Sequence, residues 1–248
     1  MEIPLFLRGI IVITEKNMRL YYTKPPVLMF GLLFPLFMFL AFFVGRHLDL
    51  ATFFPAFLGM MLFFTASSVG PLITPWEKRD KTYERLLSYP VTQDSIILGD
   101  VAAGAIFGMG ISLVIWLASF LVIPVTVTNP GLFALAFVIG TLSCSALGVL
   151  IVSPGSDNPP NVMIFSNLIR FPLIFISGIF VPLSQMQGWG LTLAYCSPLT
   201  YLADLFNAAM TGTSAISPFI DCVVLISLLA GFILVARVIQ KRNMMKGM

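Results

Sequence analysis

The residues able to do acid–base, nucleophilic or metal chemistry are few in this chain and lie far apart. One histidine, His47, stands alone, and Cys144, Cys196 and Cys222 make neither a C-x-x-C pair nor a ligand cluster. No G-x-x-x-x-G-K-[S/T] run occurs, so the chain has no P-loop of its own. An intramembrane hydrolase or transferase needs converging histidines, acids or nucleophile–base pairs. A secondary transporter typically shows repeated halves and several buried ionisable groups. Neither pattern is present. Two features do carry chemical weight: a lone cation in an apolar run, Arg170, and a charged stretch between apolar runs, WEKRDKTYERLLSYP at Trp76–Pro90.

Arg170 sits within Val162–Val181, where a cation costs about 2.5–3.5 kcal/mol on insertion scales. Two readings stand. It meets an anionic headgroup of a ligand, or it is structural, held by a carbonyl or acid or snorkelling to the interface. In Trp76–Pro90 the apolar residues Tyr83, Leu86 and Leu87 recur at i, i+3, i+4 among the charges, and Glu77 stands four residues before Lys81 in the order that favours a helix. Pro75 and Pro90 bracket the stretch at positions suited to a helix start and stop. A short helix with one apolar edge suits docking into a partner's groove; the plainer alternative is a solvated loop that sets topology.

The elements that position these residues follow from composition. Of 248 residues 58% are hydrophobic and 10% charged, against about 45–50% and about 25% in soluble domains, and mean hydropathy is +0.97. This excludes a disordered chain, a nucleic-acid-binding domain and most soluble enzymes, and predicts a polytopic all-α membrane protein. Six spans are expected, at Val27–Val44, Phe53–Ile73, about 96–123, about 132–152, Val162–Val181 and Ser217–Ile239, with the turn-rich Pro124–Gly131 dividing the third from the fourth. Pro35 and Pro172 are expected to kink spans one and five. Gly104, Gly108 and Ser112 on span three, and Gly140, Cys144 and Gly148 on span four, form small-residue edges that favour close helix packing.

Outside the spans, residues 3–21 read as an amphipathic helix along the interface, with Ile3, Phe6, Ile10 and Ile13 on one stripe and Arg8, Glu15 and Arg19 on another. The first 24 residues lack the h-region of a signal peptide. Lysines and arginines fall in three groups of four, before span one, between spans two and three, and at the C-terminal tail, while the other side of the bilayer has Arg46 alone. That asymmetry predicts both termini in the cytoplasm of a cell (inner) membrane. The segment Pro182–Ser217 has one charge, Asp204, yet holds Trp189, Leu191, Tyr195, Tyr201 and Phe206, which predicts short helices re-entering the outer half of the bilayer as a lid. Asp100 is expected at the interface and Asp221 near the outer end of span six; a Cys196–Cys222 disulfide is left open.

So arranged, the chain resembles the permease subunits of type-2 ABC exporters, a family including daunorubicin-resistance-type drug exporters and lipo-oligosaccharide or polysaccharide exporters. The resemblance rests on WEKRDKTYERLLSYPVTQDSIILGD, on FISGIFVPLSQMQGW at Phe175–Trp189 and on CSPLTYLADLF at Cys196–Phe206. It departs at Lys81-Thr82, where the family often has Gly-Thr, at Gly188-Trp189, where it has Pro-Trp, and at Asn207, where it has Arg. The resemblance implies a 1–26 cytoplasmic N-terminal segment, a 27–240 transmembrane domain and a 241–248 tail. It implies a coupling helix at about 76–90, with Trp76, Glu77, Arg79, Tyr83, Glu84, Leu86 and Leu87 meeting a separate ATPase, and Ser153–Asn161 beside it. Arg170, Phe175 and Phe180 fall on a candidate substrate path; Trp189, Pro198 and Tyr201 fall in the outer lid. No cofactor is expected on this chain, with ATP and Mg2+ bound by two copies of the ATPase subunit. A second permease copy, the lipid membrane and a hydrophobic drug or lipid-like substrate complete the expected partners, with a polysaccharide or glycolipid as the other cargo reading.

Overall fold

The computed structural model describes residues 4–246, except 23, 30–32, 34–35, 38–39, 41–49, 69, 122–125 and 155–157. Regular structure among the described residues is helical throughout: α1 (Leu5–Leu20), α2 (Pro25–Leu28), α3 (Leu50–Ser68), α4 (Gly70–Arg79), α5 (Thr82–Leu87), α6 (Gln93–Ser119), α7 (Pro130–Val152), α8 (Pro159–Phe175), a 3-10 turn at Leu183–Gln185, α9 (Trp189–Ala194), α10 (Pro198–Thr211) and α11 (Pro218–Lys246). Four helices among the described residues are long and apolar enough to cross a bilayer: Thr52–Arg79, Gln93–Ser119, Pro130–Val152 and Pro218–Asn243. The first expected span and Pro35 lie largely or wholly outside the described residues, as do Arg46 and His47.

Helix starts follow ordinary capping chemistry. Thr92 accepts from the Ser95 N–H to open α6, Asn129 accepts from Leu132 N–H to open α7, and Ser197 accepts from Leu199 N–H to open α10. Proline follows the cap in α7 and α10, where its missing N–H leaves nothing unpaired. The fifth expected span is shorter than its apolar run, because α8 ends at Phe175 instead of Val181. Pro172 stands in its last turn, so it helps end the helix rather than kink the middle of a span. Gly178 follows at φ 85, a conformation that side chains avoid, and turns the chain back.

Helix α3 is the hub, with the most buried stretch of the bundle; it packs on α6, α7 and α10. Without a hydrophobic drive between helices in lipid, close approach must come from small residues and hydrogen bonds. A Cβ on Gly108 would lie 2.6 Å from the Ala66 Cβ, and one on Gly148 would lie 2.8 Å from the Ser67 carbonyl oxygen, so both small-residue edges are packing seams. Hydroxyls in these seams are satisfied by carbonyls. Thr65 and Ser67 donate back along α3, Ser145 donates across to Val101 (2.8 Å), and Ser143 donates to Leu225 (2.7 Å). Helix α11 lies on α7 and α10 with Phe219, Ile226 and Leu234 exposed outward, as a lipid-facing helix would be.

The segment before α11 is built into the protein. Twelve residues of α10 are buried against α3, α7 and α11. Thr128 donates to the Met210 carbonyl and Asn129 N–H to that of Ala209, fastening α10 to the start of α7. Cys196 and Cys222 are free thiols, so the disulfide left open by the sequence is not formed. At the opposite end, Arg237 pairs with Asp94 at 2.8 Å, and Asn243 donates to the carbonyls of Ser153 and Pro154. Residues 155–157 of the 153–161 turn lie outside the described residues.

Candidate functional site

The charged stretch forms an elbow. Helix α4 continues the line of α3 and runs through Pro75 to Arg79, so the coupling helix does not start at Pro75 as expected. The break comes at Lys81, in the left-handed region at φ 55, and the six-residue helix α5 follows. Thr82 Oγ1 donates to the Glu77 carbonyl (3.2 Å), bracing the bend. Pro90 does lie just beyond the end of α5, as expected of a stop. Lys81 is exposed beyond the end of α4, and Glu77 pairs with Lys16 rather than with Lys81 among the described residues.

Glu77 is 3% exposed and pairs with Lys16 of α1. The Tyr21 hydroxyl donates to the same carboxylate at 3.5 Å, and Tyr21 stacks on Trp76 at 5.7 Å between ring centroids. Lys24 covers this stack, 4.3 Å from the Trp76 centroid and 4.8 Å from that of Tyr21. Burial, with the Glu77 charge beside it, raises the Tyr21 phenol well above its ordinary range, so it stays a donor. Tyr83 is half-buried, and burial together with Asp100 and Glu77 pushes its phenol up to about 12. Asn17 donates to Asp100 at 2.6 Å, and Asp100 is buried there within the protein.

Helix α1 is thereby clamped along the start of α6. Ile13 and Asn17 are fully buried, a Cβ on Gly99 would meet Ile13 at 2.6 Å, and Thr14 donates to the Gly99 carbonyl. Of the expected stripe, Ile13 is buried and Ile10 half-buried against α6, Phe6 is exposed like Leu7 and Ile11, and Ile3 lies outside the described residues.

The expected coupling residues divide accordingly. Trp76 and Glu77 turn inward onto α1, whereas Arg79, with its Asp80 neighbour at 3.2 Å, is exposed together with Lys81 and Arg85. Tyr83 and Leu86 are half-buried, three residues apart on α5; the side chains of Glu84 and Leu87 lie outside the described set. Lys16, Asn17, Tyr21, Lys24 and Asp100 were not expected here. Asn17 did give a signal, since it extends the stripe Ile10–Ile13 at helical spacing, and a polar residue there calls for a buried partner.

Arg170 is 2% exposed on α8, over the ring of Phe64 midway along the Thr52–Arg79 helix, at 6.0 Å. Its Nε donates to the Ser166 carbonyl (3.3 Å), while Nη1 has no hydrogen-bond partner among the described residues. Phe175 stacks on Phe180 at 5.4 Å, and Phe180 lines a cavity of about 660 Å3 with Thr52, Phe53, Thr200, Asp204 and Asn207. Pro198 is buried at the first turn of α10, and Tyr201 donates to the Tyr195 carbonyl at 2.8 Å; Trp189 stands 81% exposed. Two of the expected lid residues are thus part of the packing and one is on the surface.

The sequence matches the ABC-2 type transporter family over residues 8–211, most of its length, and the chain belongs to that family. It is a permease subunit of an ABC transporter, a multi-pass membrane protein whose family implies a separate ABC ATPase partner. No curated protein matches the chain.

Proposed function

We propose that the chain is the membrane half of an ATP-driven exporter, two copies working with two ATPase subunits that hold ATP and Mg2+, to move a hydrophobic drug or lipid-like cargo outward. The observation that carries this is the elbow of α4 and α5, keyed to α1 by Glu77 and Trp76 and presenting Arg79, Lys81 and Arg85 outward. The basic end faces the cytoplasm, a reading supported by the lysine and arginine asymmetry. The exposed cations favour a partner groove lined with carboxylates. In this reading Trp76 and Glu77 are positioning residues, while Arg79, Tyr83 and Leu86 meet the ATPase.

Transmission requires that the inward-facing and outward-facing states differ in contact energy at the joint. An elbow clamped to α1, and through Ile13, Asn17 and Thr14 to α6, passes a push on α5 into the bundle as a rigid displacement. For Arg170, the inward position supports the structural reading, and the substrate path passes instead by Phe175 and Phe180.

Purification of the tagged chain in mild detergent tests the proposal. A stoichiometric P-loop ATPase should accompany it, and Leu86→Asp should release that ATPase and abolish its stimulation while leaving membrane insertion intact. Absence of an ATPase, or a Leu86→Asp variant with normal coupling, overturns the reading.

A further inference from the structure

The cavity beside Phe180 holds one formal charge among the described residues that line it, the carboxylate of Asp204. Its oxygens accept from the N–H groups of Ala215 (2.8 Å) and Ile216 (2.9 Å), which ties the loop after α10 over the cavity. Backbone amides bring no net charge, so among the described residues that line the cavity nothing compensates the negative charge. Asp221, fully buried in the first turn of α11, lies against Asp204, and two buried carboxyl groups side by side hold a proton between them, so the pair carries a single negative charge. From Phe171 to Ala236 the sequence has no lysine or arginine, and Arg46 and His47, which precede α3, lie outside the described residues. The other titratable groups in reach of Asp221, Tyr201 and Cys222, bring no positive charge either.

The remaining lining points the same way. Thr200 and Ser177 spend their hydroxyl protons on the carbonyls of Ala194 and Ile174, so each has only lone pairs left to offer. Phe53 and Phe180 supply aromatic faces, which attract cations. The volume, about 660 Å3, falls in the range of small-molecule sites. Asn207, Thr213 and Ser214 can donate as well as accept, but the formal charge among the described lining residues is negative, and with the aromatic faces this favours a positive end beside an apolar body over an anion.

We infer that this cavity binds organic cations with apolar bodies, the positive end at Asp204 and the body against Phe53 and Phe180. Naming the occupant as cargo rests on the proposed export function; the binding itself does not.

The test is equilibrium binding of tritiated tetraphenylphosphonium to the full 248-residue chain in nanodiscs, with tetraphenylborate, an anion of the same shape, as competitor. Saturable binding is expected that the borate does not displace. Asp204→Asn should weaken it by about tenfold or more. Because Asp204 also ties the loop, Ser214→Lys provides a second variant: it puts a cation on the exposed rim, leaves those two hydrogen bonds in place, and should weaken binding to a similar degree. No saturable binding, equal displacement by the borate, or wild-type affinity in Ser214→Lys overturns the inference. If the phosphonium fails to bind while an ATPase still co-purifies, this inference falls alone. If it binds as expected but is not exported by ATPase-loaded vesicles, the site stands and the cargo reading falls.

Discussion

Lys16 and Glu77 form an ion pair of unequal exposure, with the Lys16 side chain 25% and the Glu77 side chain 4% accessible. Removing the lysine leaves a carboxylate in a site that excludes water. Lys16→Met should therefore cost about 2–3 kcal/mol, less than the 3–5 of a fully buried pair, since Lys16 keeps some hydration. The double reversal Lys16→Glu with Glu77→Lys should recover most of the loss, as read by thermal unfolding in detergent; failure to recover would mean that the surrounding aromatic stack, not the pair, sets the stability. Arg170 poses the opposite case. Its Nη1 is buried without an acceptor among the described residues, so there the guanidinium contributes volume and its contact with Phe64 more than hydrogen bonding. Arg170→Met is expected to unfold within about 1 kcal/mol of wild type, whereas Arg170→Ala should lose about 2–4 kcal/mol by opening a cavity. Equal destabilisation by both would show that the charge itself is held by the fold.

Helix seams and the elbow belong to the element scale. A side chain at Gly108 has nowhere to go, since its Cβ alone would lie 2.8 Å from the Ala66 backbone. Gly110, two residues along the same helix, faces open space. Gly108→Leu should therefore abolish the monodisperse folded peak on size-exclusion chromatography, and Gly110→Leu should leave it unchanged or slightly stabilised, since leucine is the better helix former. A seam running along the other face of α6 would reverse that pair of outcomes. Small-residue spacing was legible in the sequence because lipid gives helices no other cheap way to approach. The start of the elbow was not: Pro75 has the residue type of a helix start, but α3 and α4 run on through it because α7 and α8 pack against the continuing helix.

For the whole molecule, orientation can be read from the cysteines already present. Cys144 is buried, Cys222 half-buried and Cys196 exposed at the end away from α1. In intact cells a membrane-impermeant maleimide should label Cys196 and spare Cys144, while a cysteine placed at the exposed Tyr89 should react only after permeabilisation. The reverse pattern would invert the proposed topology, and with it the direction assigned to the elbow.

The class, an all-helical membrane protein, was determined by the sequence alone, because hydrophobicity and the length of apolar runs are properties of single segments in a bilayer. The Asn17–Asp100 bond, the Lys16–Glu77 pair and the Asp204–Asp221 neighbourhood were decided only by tertiary structure. Their partners lie 83, 61 and 17 positions apart. Within an apolar run both the lipid-facing and the protein-facing sides of a helix are hydrophobic, so no periodicity marks which way a residue turns. Packing sets that rotation: the seams at Gly99, Gly108 and Gly148 orient α6 and α7, and with them the few polar residues that must find one another.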